Sequence, residues 1–168
     1  LIKLTVFAAL LAGTVIGGRY GYRHVVASPR FALAHIEVSA TTRVTKDEIV
    51  AMAGVAVGDR LLELEPKLLA AAVAGHPWIA KVEVERQLPA TLRITVVERE
   101  ALAVAALDGL YLLDGTGHPF KRAMMSEAEG LPVITGVDRD LFIERAPAAE
   151  AAYREALALF AEYKTGES

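Results

Sequence analysis

The residue types that most often carry out catalysis are few and scattered in this 168-residue sequence. Cysteine is absent, which excludes disulfides and thiolate metal sites. No histidine has another histidine at metal-ligand spacing, and no serine lies in a nucleophile elbow. The histidines are His24, His35, His76 and His118, and the serines are Ser28, Ser39, Ser126 and Ser168. The sequence therefore predicts no metal, cofactor or catalytic site.

The stretch Asp114–Gly117 is the closest approach to a ligand-binding loop. Its Asp-Gly-Thr-Gly pattern lacks the Lys-Ser/Thr pair of a phosphate loop and the spaced acids of a calcium loop. We interpret it as a β-turn. The net charge of −3 gives no global basic field that would attract nucleic acid. What remains is a binding protein rather than an enzyme.

A β-hairpin, His76–Glu98, is the element around which the other elements are organised. Apolar and polar residues alternate in both arms, which predicts one buried and one solvated face. The apolar positions are Ala80, Val82 and Val84 in the first arm and Leu92, Ile94 and Val96 in the second. Pro89 cannot donate to a β-ladder, so we place it in the connection. The apolar face of such a pair needs a cover.

The residues before the hairpin supply that cover. Ala34–Ala40 alternates as a strand, and Thr45–Glu48 forms a capping box that opens a short helix ending at Gly54. Glu65-Pro66 opens a second helix, whose predicted apolar stripe is Leu68, Leu69, Ala72 and Val73. The order is therefore β-α-α-β-β, with two helices on a three-stranded sheet.

The N-terminal segment Leu4–Gly18 carries no charge and lies between Lys3 and Arg19. Fifteen helical residues span roughly 22 Å, and the flanking residues extend this towards the roughly 30 Å hydrocarbon core of a membrane. We predict a transmembrane anchor at residues 1–24. A signal peptide cleaved near Ser28 is the alternative. The positive-inside rule does not settle the orientation, because any residues upstream would contribute.

Two glycines in the predicted anchor, Gly13 and Gly17, form a small-xxx-small pair. Such pairs let membrane helices approach closely, so we predict a helix contact there. The alternative is that glycine is simply frequent in membrane helices.

Residues 100–168 continue as a mixed β segment with one helix. Asp108-Gly109 is a hairpin signal, Lys121–Gly130 is predicted to be irregular and exposed, and Leu131–Thr135 is predicted to be a strand. Pro147–Lys164 is predicted to be a helix with one apolar face, formed by Ala149, Tyr153, Ala156, Leu157 and Phe160. The chain does not begin with methionine and stops after this helix, so we expect a fragment of a longer protein.

Several motifs occur together at defined positions. They are Val57-Gly58-Asp59 with Leu61-Leu62, Pro66 with Leu68, His76-Pro77-Trp78-Ile79, Val82–Arg86 with Leu88–Leu92, Val97–Glu100, Leu113–Gly117 with Phe120, and Leu131–Gly136. In this combination the sequence resembles the FtsQ (DivIB) family of cell-division proteins. The resemblance covers nearly the whole chain.

The resemblance implies an α+β protein: a membrane anchor, a POTRA domain at residues 31–99, and the N-terminal part of a β domain at residues 100–168. It implies a single-pass protein of the inner (cytoplasmic) membrane at the division septum, with periplasmic C-terminal domains and contact with membrane lipid. It implies no catalysis and no cofactor. The protein would be a scaffold that links early division proteins to FtsB, FtsL and the septal peptidoglycan synthase FtsW–FtsI, with FtsK as a further partner. The FtsB and FtsL contacts would lie on later strands, mostly absent here.

The resemblance also implies that Ile79–Arg86 is an edge strand. Lys81, Glu83 and Glu85 would guard that edge against indiscriminate pairing. We hypothesise that this edge, at Ile79, Lys81, Glu83 and Glu85, binds a partner of the division machinery. Two alternatives stay open: a POTRA protein of outer-membrane or polypeptide transport, and an anchored enzyme with its active site beyond residue 168.

Overall fold

The computed structural model describes residues 2–26, 28–137 and 139–166, with side chains described at 7, 10–22, 28–137 and 139–163. A first helix, α1, spans Ile2–Val26. Among the described residues, we find no helix that has both the length and the apolarity of a membrane span. The chain divides into two compact units, which are described separately. The first contains Leu1–Gly75 and Lys81–Val96, and the second contains His76–Ala80 and Val97–Ser168.

The predicted β-α-α-β-β order is present. Its elements are β1 (His35–Val38), α2 (Lys46–Ala53), α3 (Pro66–Ala74), β2 (Ile79–Gln87) and β3 (Thr91–Glu98). The sheet order is β1-β3-β2, so β3 is central. β1 runs parallel to β3, with His35 opposite Thr91 and Val38 opposite Ile94. A helical crossover is what a parallel pair requires.

The hairpin alternation is confirmed in β3, where Leu92, Ile94 and Val96 are buried and the residues between them are exposed. Pro89 lies in the connection between the two strands, after a cis peptide bond. The alternation is wrong at the start of β2. Ala80 is exposed and Ile79 is buried, because residues 76–80 pack within the second unit rather than the first.

Both short helices begin and end where the sequence predicts. In α2, Glu48 N donates to Thr45 Oγ1 (3.3 Å), Thr45 N donates to Glu48 Oε2 (2.8 Å), and Gly54 ends the helix at a φ of 66°. The predicted stripe of α3 is partly wrong. Val73 is buried and Leu69 half-buried, but Leu68 is 64% exposed and Ala72 is exposed. A nine-residue helix buries only a narrow stripe, here the i, i+4 pair.

The second unit contains a four-stranded mixed sheet with the order β6-β5-β4-β7. The strands are β4 (Ala103–Ala106), β5 (Leu110–Leu113), β6 (Pro119–Arg122) and β7 (Val133–Ile134). β4 pairs antiparallel with β5 across the predicted Asp108-Gly109 turn, and it pairs parallel with β7. The mixed β character is as expected, but the predicted strand at 131–135 contains only two residues in β-structure.

The described residues of this unit form three helices beside the sheet, where one was predicted. They are α4 (Met125–Ala128), α5 (Arg139–Glu144) and α6 (Ala146–Gly166). The prediction that the 121–130 segment is irregular is therefore wrong, whereas its predicted exposure is confirmed at most positions, including Met124 and Met125, which are 59% and 80% exposed. Lys121 belongs to β6, and its side chain forms an ion pair with Glu127 of α4, which joins that short helix to the sheet. Four- and six-residue helices carry too little periodicity to be read from the sequence.

The core of the second unit lies between α6 and the sheet. Ala103, Ala105, Leu113 and Tyr153 are fully or almost fully buried and form one apolar cluster. The predicted face of α6 is confirmed at Ala149 and Tyr153 and continues through half-buried Ala156 and Leu157. Phe160 is 43% exposed, so the buried part of the stripe ends before it.

The Tyr153 hydroxyl is a polar group in this apolar core and is expected to reduce stability. It is buried without a hydrogen-bond partner among the described residues, and burial raises the pKa of Tyr153. Removing an unsatisfied buried hydroxyl while keeping the ring is expected to be neutral or stabilising. We therefore expect Tyr153→Phe to leave the free energy of unfolding unchanged or to raise it by about 1 kcal/mol. Urea titration of the full chain measures this, and a clear loss of stability would contradict it.

Candidate partner-binding site

Strand β2 lies at one edge of the three-stranded sheet. β3 is its hydrogen-bonded neighbour on one side, and no other described strand pairs with it. The expectation of an edge strand is therefore confirmed. Backbone N–H and C=O groups on an open edge pair readily with a strand from another chain. With nine residues, β2 is the longest strand described, so it offers the longest row of such groups.

Charged side chains cover one face of this edge. Lys81 Nζ lies 2.6 Å from Glu83 Oε1, and both side chains are exposed. Lys81 donates a hydrogen bond to Glu83, and this bond favours the charged form of both side chains. It therefore lowers the pKa of Glu83 and raises the pKa of Lys81. Glu85 is exposed two residues further along, on the same face. We call Lys81, Glu83 and Glu85 the charged strip. An exposed ion pair contributes little to stability, so we consider a role for the charged strip in partner recognition.

Ile79 does not belong to the exposed part of the hypothesised site. Its side chain is only 2% exposed, so it offers no surface to a partner. Trp78, beside it, is 7% exposed and packs edge-on against Phe120, with 5.2 Å between the ring centroids. Lys121 Nζ lies 5.6 Å from the Trp78 ring centroid. The structure thus favours a packing role for Trp78 over a partner contact.

In the Asp114 turn, both carboxylate oxygens of Asp114 accept hydrogen bonds from other groups of the protein. Asp114 Oδ1 accepts hydrogen bonds from Thr116 N (2.9 Å), Thr116 Oγ1 (2.5 Å) and His118 N (3.2 Å). Asp114 Oδ2 accepts from Arg99 Nη1 at 2.6 Å. Burial raises the pKa of Asp114, but these hydrogen bonds outweigh it and the pKa lies below its ordinary value. Gly117 N donates to Asp114 O, which confirms the predicted β-turn.

The other residues considered for chemistry are dispersed. His118 Nδ1 lies 2.7 Å from Glu150 Oε1, and the Ser39 hydroxyl bonds to both backbone groups of Val96. Within the described part of the chain, no three histidine, aspartate or glutamate side chains converge on a possible metal position. The side chain of His24 and the whole of Ser168 lie outside the described residues.

The predicted helix contact at Gly13 and Gly17 lies on an open face of α1. No described atom lies within 4 Å of the position that a Cβ would take at either glycine. The face is free for another helix, and the contact stays a prediction.

Sequence reasoning did not single out the opposite edge of the sheet, at β1. Alternation over Ala34–Ala40 predicts a strand but not its neighbour. The two-helix crossover is a signal for a parallel pair, yet it does not say which hairpin arm is the partner. Because that partner is β3, both β1 and β2 become edges.

Comparison with known proteins agrees with this architecture. A family model described as the FtsQ-type POTRA domain matches residues 31–99. Cell division protein FtsQ of Geobacter sp. (strain M21) is 38% identical over 159 residues, which cover 95% of this chain and 58% of that protein. The chain belongs to the FtsQ family.

Further FtsQ proteins are similar over most of the chain. The cell division protein FtsQ of Anaeromyxobacter sp. (strain K) is 36% identical over 84% of this chain and 47% of that protein. The corresponding protein of Myxococcus fulvus is 35% identical over 96% of this chain and 56% of that protein. The chain thus spans about half the length of the FtsQ relatives it matches. The β-α-α-β-β sheet with its β2 edge is the part that carries the FtsQ-type POTRA match.

Proposed function

We propose that this chain is part of a non-catalytic, single-pass membrane scaffold of the bacterial division machinery. The observation that carries the proposal is the FtsQ-type POTRA match over residues 31–99, together with FtsQ relatives 35–38% identical over 84–96% of the chain. The scaffold links early division proteins to FtsB, FtsL and the septal peptidoglycan synthase FtsW–FtsI, with FtsK as a further partner. The transport alternative is not favoured, because the similarity is to division proteins.

Depletion of the full-length protein in its own host tests this function. Loss of a division scaffold blocks septation while growth continues, so we expect long filamentous cells. Re-expression of the wild-type protein restores normal cell length. Cells that divide normally without the protein would contradict the proposal.

The proposed scaffold is held in the inner membrane by residues 1–24, with the POTRA domain at residues 31–99 and the β domain at residues 100–168 on the periplasmic side. The proposal rests on the uncharged sequence Leu4–Gly18, which lies within α1. It is also supported by large apolar side chains on α1 that are 54–68% exposed: Phe7, Leu10, Leu11, Val15 and Ile16. A helix that exposes such side chains needs an apolar environment.

We expect the double substitution Leu11→Arg and Val15→Arg to release the protein from membranes. Each arginine at the centre of a membrane helix costs roughly 2.5–3.5 kcal/mol on insertion scales. Carbonate extraction of membranes from cells producing the full-length protein measures retention. Leu68→Arg, at a 64% exposed position on α3, is the matched control and stays in the pellet. Retention of the double variant, or loss of an N-terminal tag by cleavage, would contradict the anchor.

The charged strip on β2 is the proposed contact for a division partner. An added strand pairs with the β2 backbone, and Lys81, Glu83 and Glu85 select it by charge complementarity. Ile79 contributes only its place in the strand, since its side chain is buried. This division of roles uses the backbone for affinity and the exposed side chains for specificity.

Exchange of the charges, Lys81→Glu with Glu83→Lys, is expected to weaken binding of at least one of FtsB, FtsL, FtsK, FtsW and FtsI by about tenfold. The exchange keeps an ion pair, so the fold is unaffected, but it inverts the pattern that a partner meets. Pairwise interaction assays with the full-length protein measure this. The matched control is Arg60→Glu with Glu63→Arg, an exchanged pair of similar exposure outside the strands. Unchanged binding of every partner would remove the proposed contact.

A further inference from the structure

The second open edge of the first unit lies on β1. His35 N donates to Ala90 O (3.1 Å), and Ser39 N donates to Ile94 O (3.0 Å), so these amides face β3. Successive amides of a strand point to opposite sides. The amides of Ile36 and Val38 therefore point away from β3. No described residue hydrogen-bonds to them from that side.

The same side of the chain is already paired immediately before β1. Ala34 N and His35 N both donate to Ala90 O (2.8 and 3.1 Å), so the alternation shifts by one residue there and Leu33 N points away from β3, as Ile36 N does. Leu33 N donates to Asp59 O (2.7 Å), and Gly58 N donates to Leu33 O (2.8 Å), in an antiparallel row that also joins Leu61 N to Phe31 O (3.0 Å). The row ends at Gly58, which has a φ of 100°. This edge of the chain therefore has an antiparallel neighbour as far as Leu33. Further along, at Ile36 and Val38, no described segment pairs with it.

A groove of about 490 Å³ lies beside this unpaired part of β1. Val50 of α2 and Val57 of the following loop give it an apolar side, and Val57 is 70% exposed. Ala34 and the β1 residues His35, Ile36 and Glu37 form the opposite side. The groove therefore combines a backbone edge with an apolar surface, which are the two features that an added strand uses.

The charges at the rim of the groove favour an acidic occupant. The Glu37 carboxylate is already neutralised, because Arg93 donates to it through Nε (3.1 Å) and Nη2 (2.9 Å). Asp47 lies in the first turn of α2, where the helix amides stabilise a negative charge. Neither Asp47 nor Lys46 makes an ion pair with the residues that the structure describes. Lys46 is thus the rim cation to which an occupant can bring a carboxylate.

We propose that the groove between β1 and α2 binds an extended, acidic segment of a partner protein. The segment continues the antiparallel row, so that its backbone pairs with Ile36 and Val38. It lays an apolar side chain over Val50 and Val57 and brings a carboxylate to Lys46. This site lies on the edge opposite β2 and is independent of the charged strip.

The experiment uses the full chain in detergent micelles and a synthetic peptide as the probe. The peptide has eight residues, alternating valine and threonine, with one glutamate near its end. Amide hydrogen exchange by NMR and fluorescence anisotropy follow its binding. We expect saturable binding that slows exchange at Ile36 and Val38. A peptide N-methylated at alternate residues cannot form the ladder and is expected to bind at least tenfold more weakly.

Variants separate this edge from the other one. Val57→Glu removes part of the apolar surface and repels the acidic peptide, so we expect about tenfold weaker binding. Leu68→Glu is the control, because Leu68 is an apolar residue about as exposed as Val57 but lies outside the groove. We expect this variant to bind the peptide normally. The Lys81→Glu, Glu83→Lys exchange also leaves binding intact. Absence of saturable binding, insensitivity to N-methylation, or protection of β2 instead of Ile36 and Val38 would overturn the proposal.

Discussion

Replacement of Gly117 by alanine is expected to destabilise the second unit by about 3 kcal/mol. Gly117 has a φ of 79°, in the left-handed region that disfavours any side chain. A Cβ at this position would lie 2.4 Å from the backbone O of Glu150 and 3.1 Å from Arg154 N. Both atoms belong to the backbone of α6, so neither moves without shifting the helix. The substitution therefore separates the Asp114 turn from the helix against which it packs.

Gly130→Ala is the matched control for this prediction. Gly130 has nearly the same φ, 78°, but no described atom lies within 4 Å of a Cβ built there. It should show the conformational cost alone, about 1 kcal/mol. Trp78 is the only tryptophan and belongs to the second unit, so its fluorescence during urea unfolding of the full chain reports on that unit. Equal effects of the two substitutions would contradict the close approach to α6.

Replacement of Asp114 by alanine is expected to cost about 3 kcal/mol. The carboxylate is the shared acceptor for Thr116, His118 and Arg99, with donor–acceptor distances of 2.5–3.2 Å. Its removal leaves the Arg99 guanidinium and two backbone amides without that acceptor in a place that water reaches poorly. Asp114→Asn keeps one acceptor oxygen but loses the charge, so we expect a smaller loss of about 1–2 kcal/mol.

The pH dependence gives this prediction a sign. The pKa of Asp114 is lower in the folded protein than the roughly 3.9 of an unfolded chain, so the unfolded state binds more protons in acid. The stabilisation that the Asp114 carboxylate provides is fully present above the pKa of this carboxyl in the unfolded chain. It is lost as the pH falls through the pKa of Asp114 in the folded protein. The stability difference between wild type and Asp114→Asn should therefore be constant near neutrality and shrink below about pH 4. A difference that grows in acid would contradict the assignment.

Local signals explain how much of the first unit could be predicted. Alternation in Leu92, Ile94 and Val96 reflects one buried face, and the Thr45–Glu48 capping box is satisfied within four residues. Such features depend on neighbours in sequence. The edge position of β2 was available only through the family resemblance, because strand order depends on contacts between distant segments.

The errors in prediction have the same physical origin. Ile79 follows the alternation of its strand poorly because its surroundings are set by the second unit, which includes Trp78 and Phe120. The short helix α4 has too few residues to show periodicity, and its Glu127 forms an ion pair with Lys121 of β6. The groove beside β1 depends on where the hydrogen-bonded row between Leu33 and Gly58 ends and on which strand is central. None of these leaves a pattern in a single stretch of sequence.

The location of the protein during division tests the central claim most directly. The measurement is fluorescence microscopy of a tagged full-length protein in its own host, with the untagged copy depleted. The proposed scaffold role predicts a band at midcell that appears before constriction, in cells of normal length. An even signal around the envelope with normal septation would contradict the division role, although the FtsQ-type POTRA fold would stand.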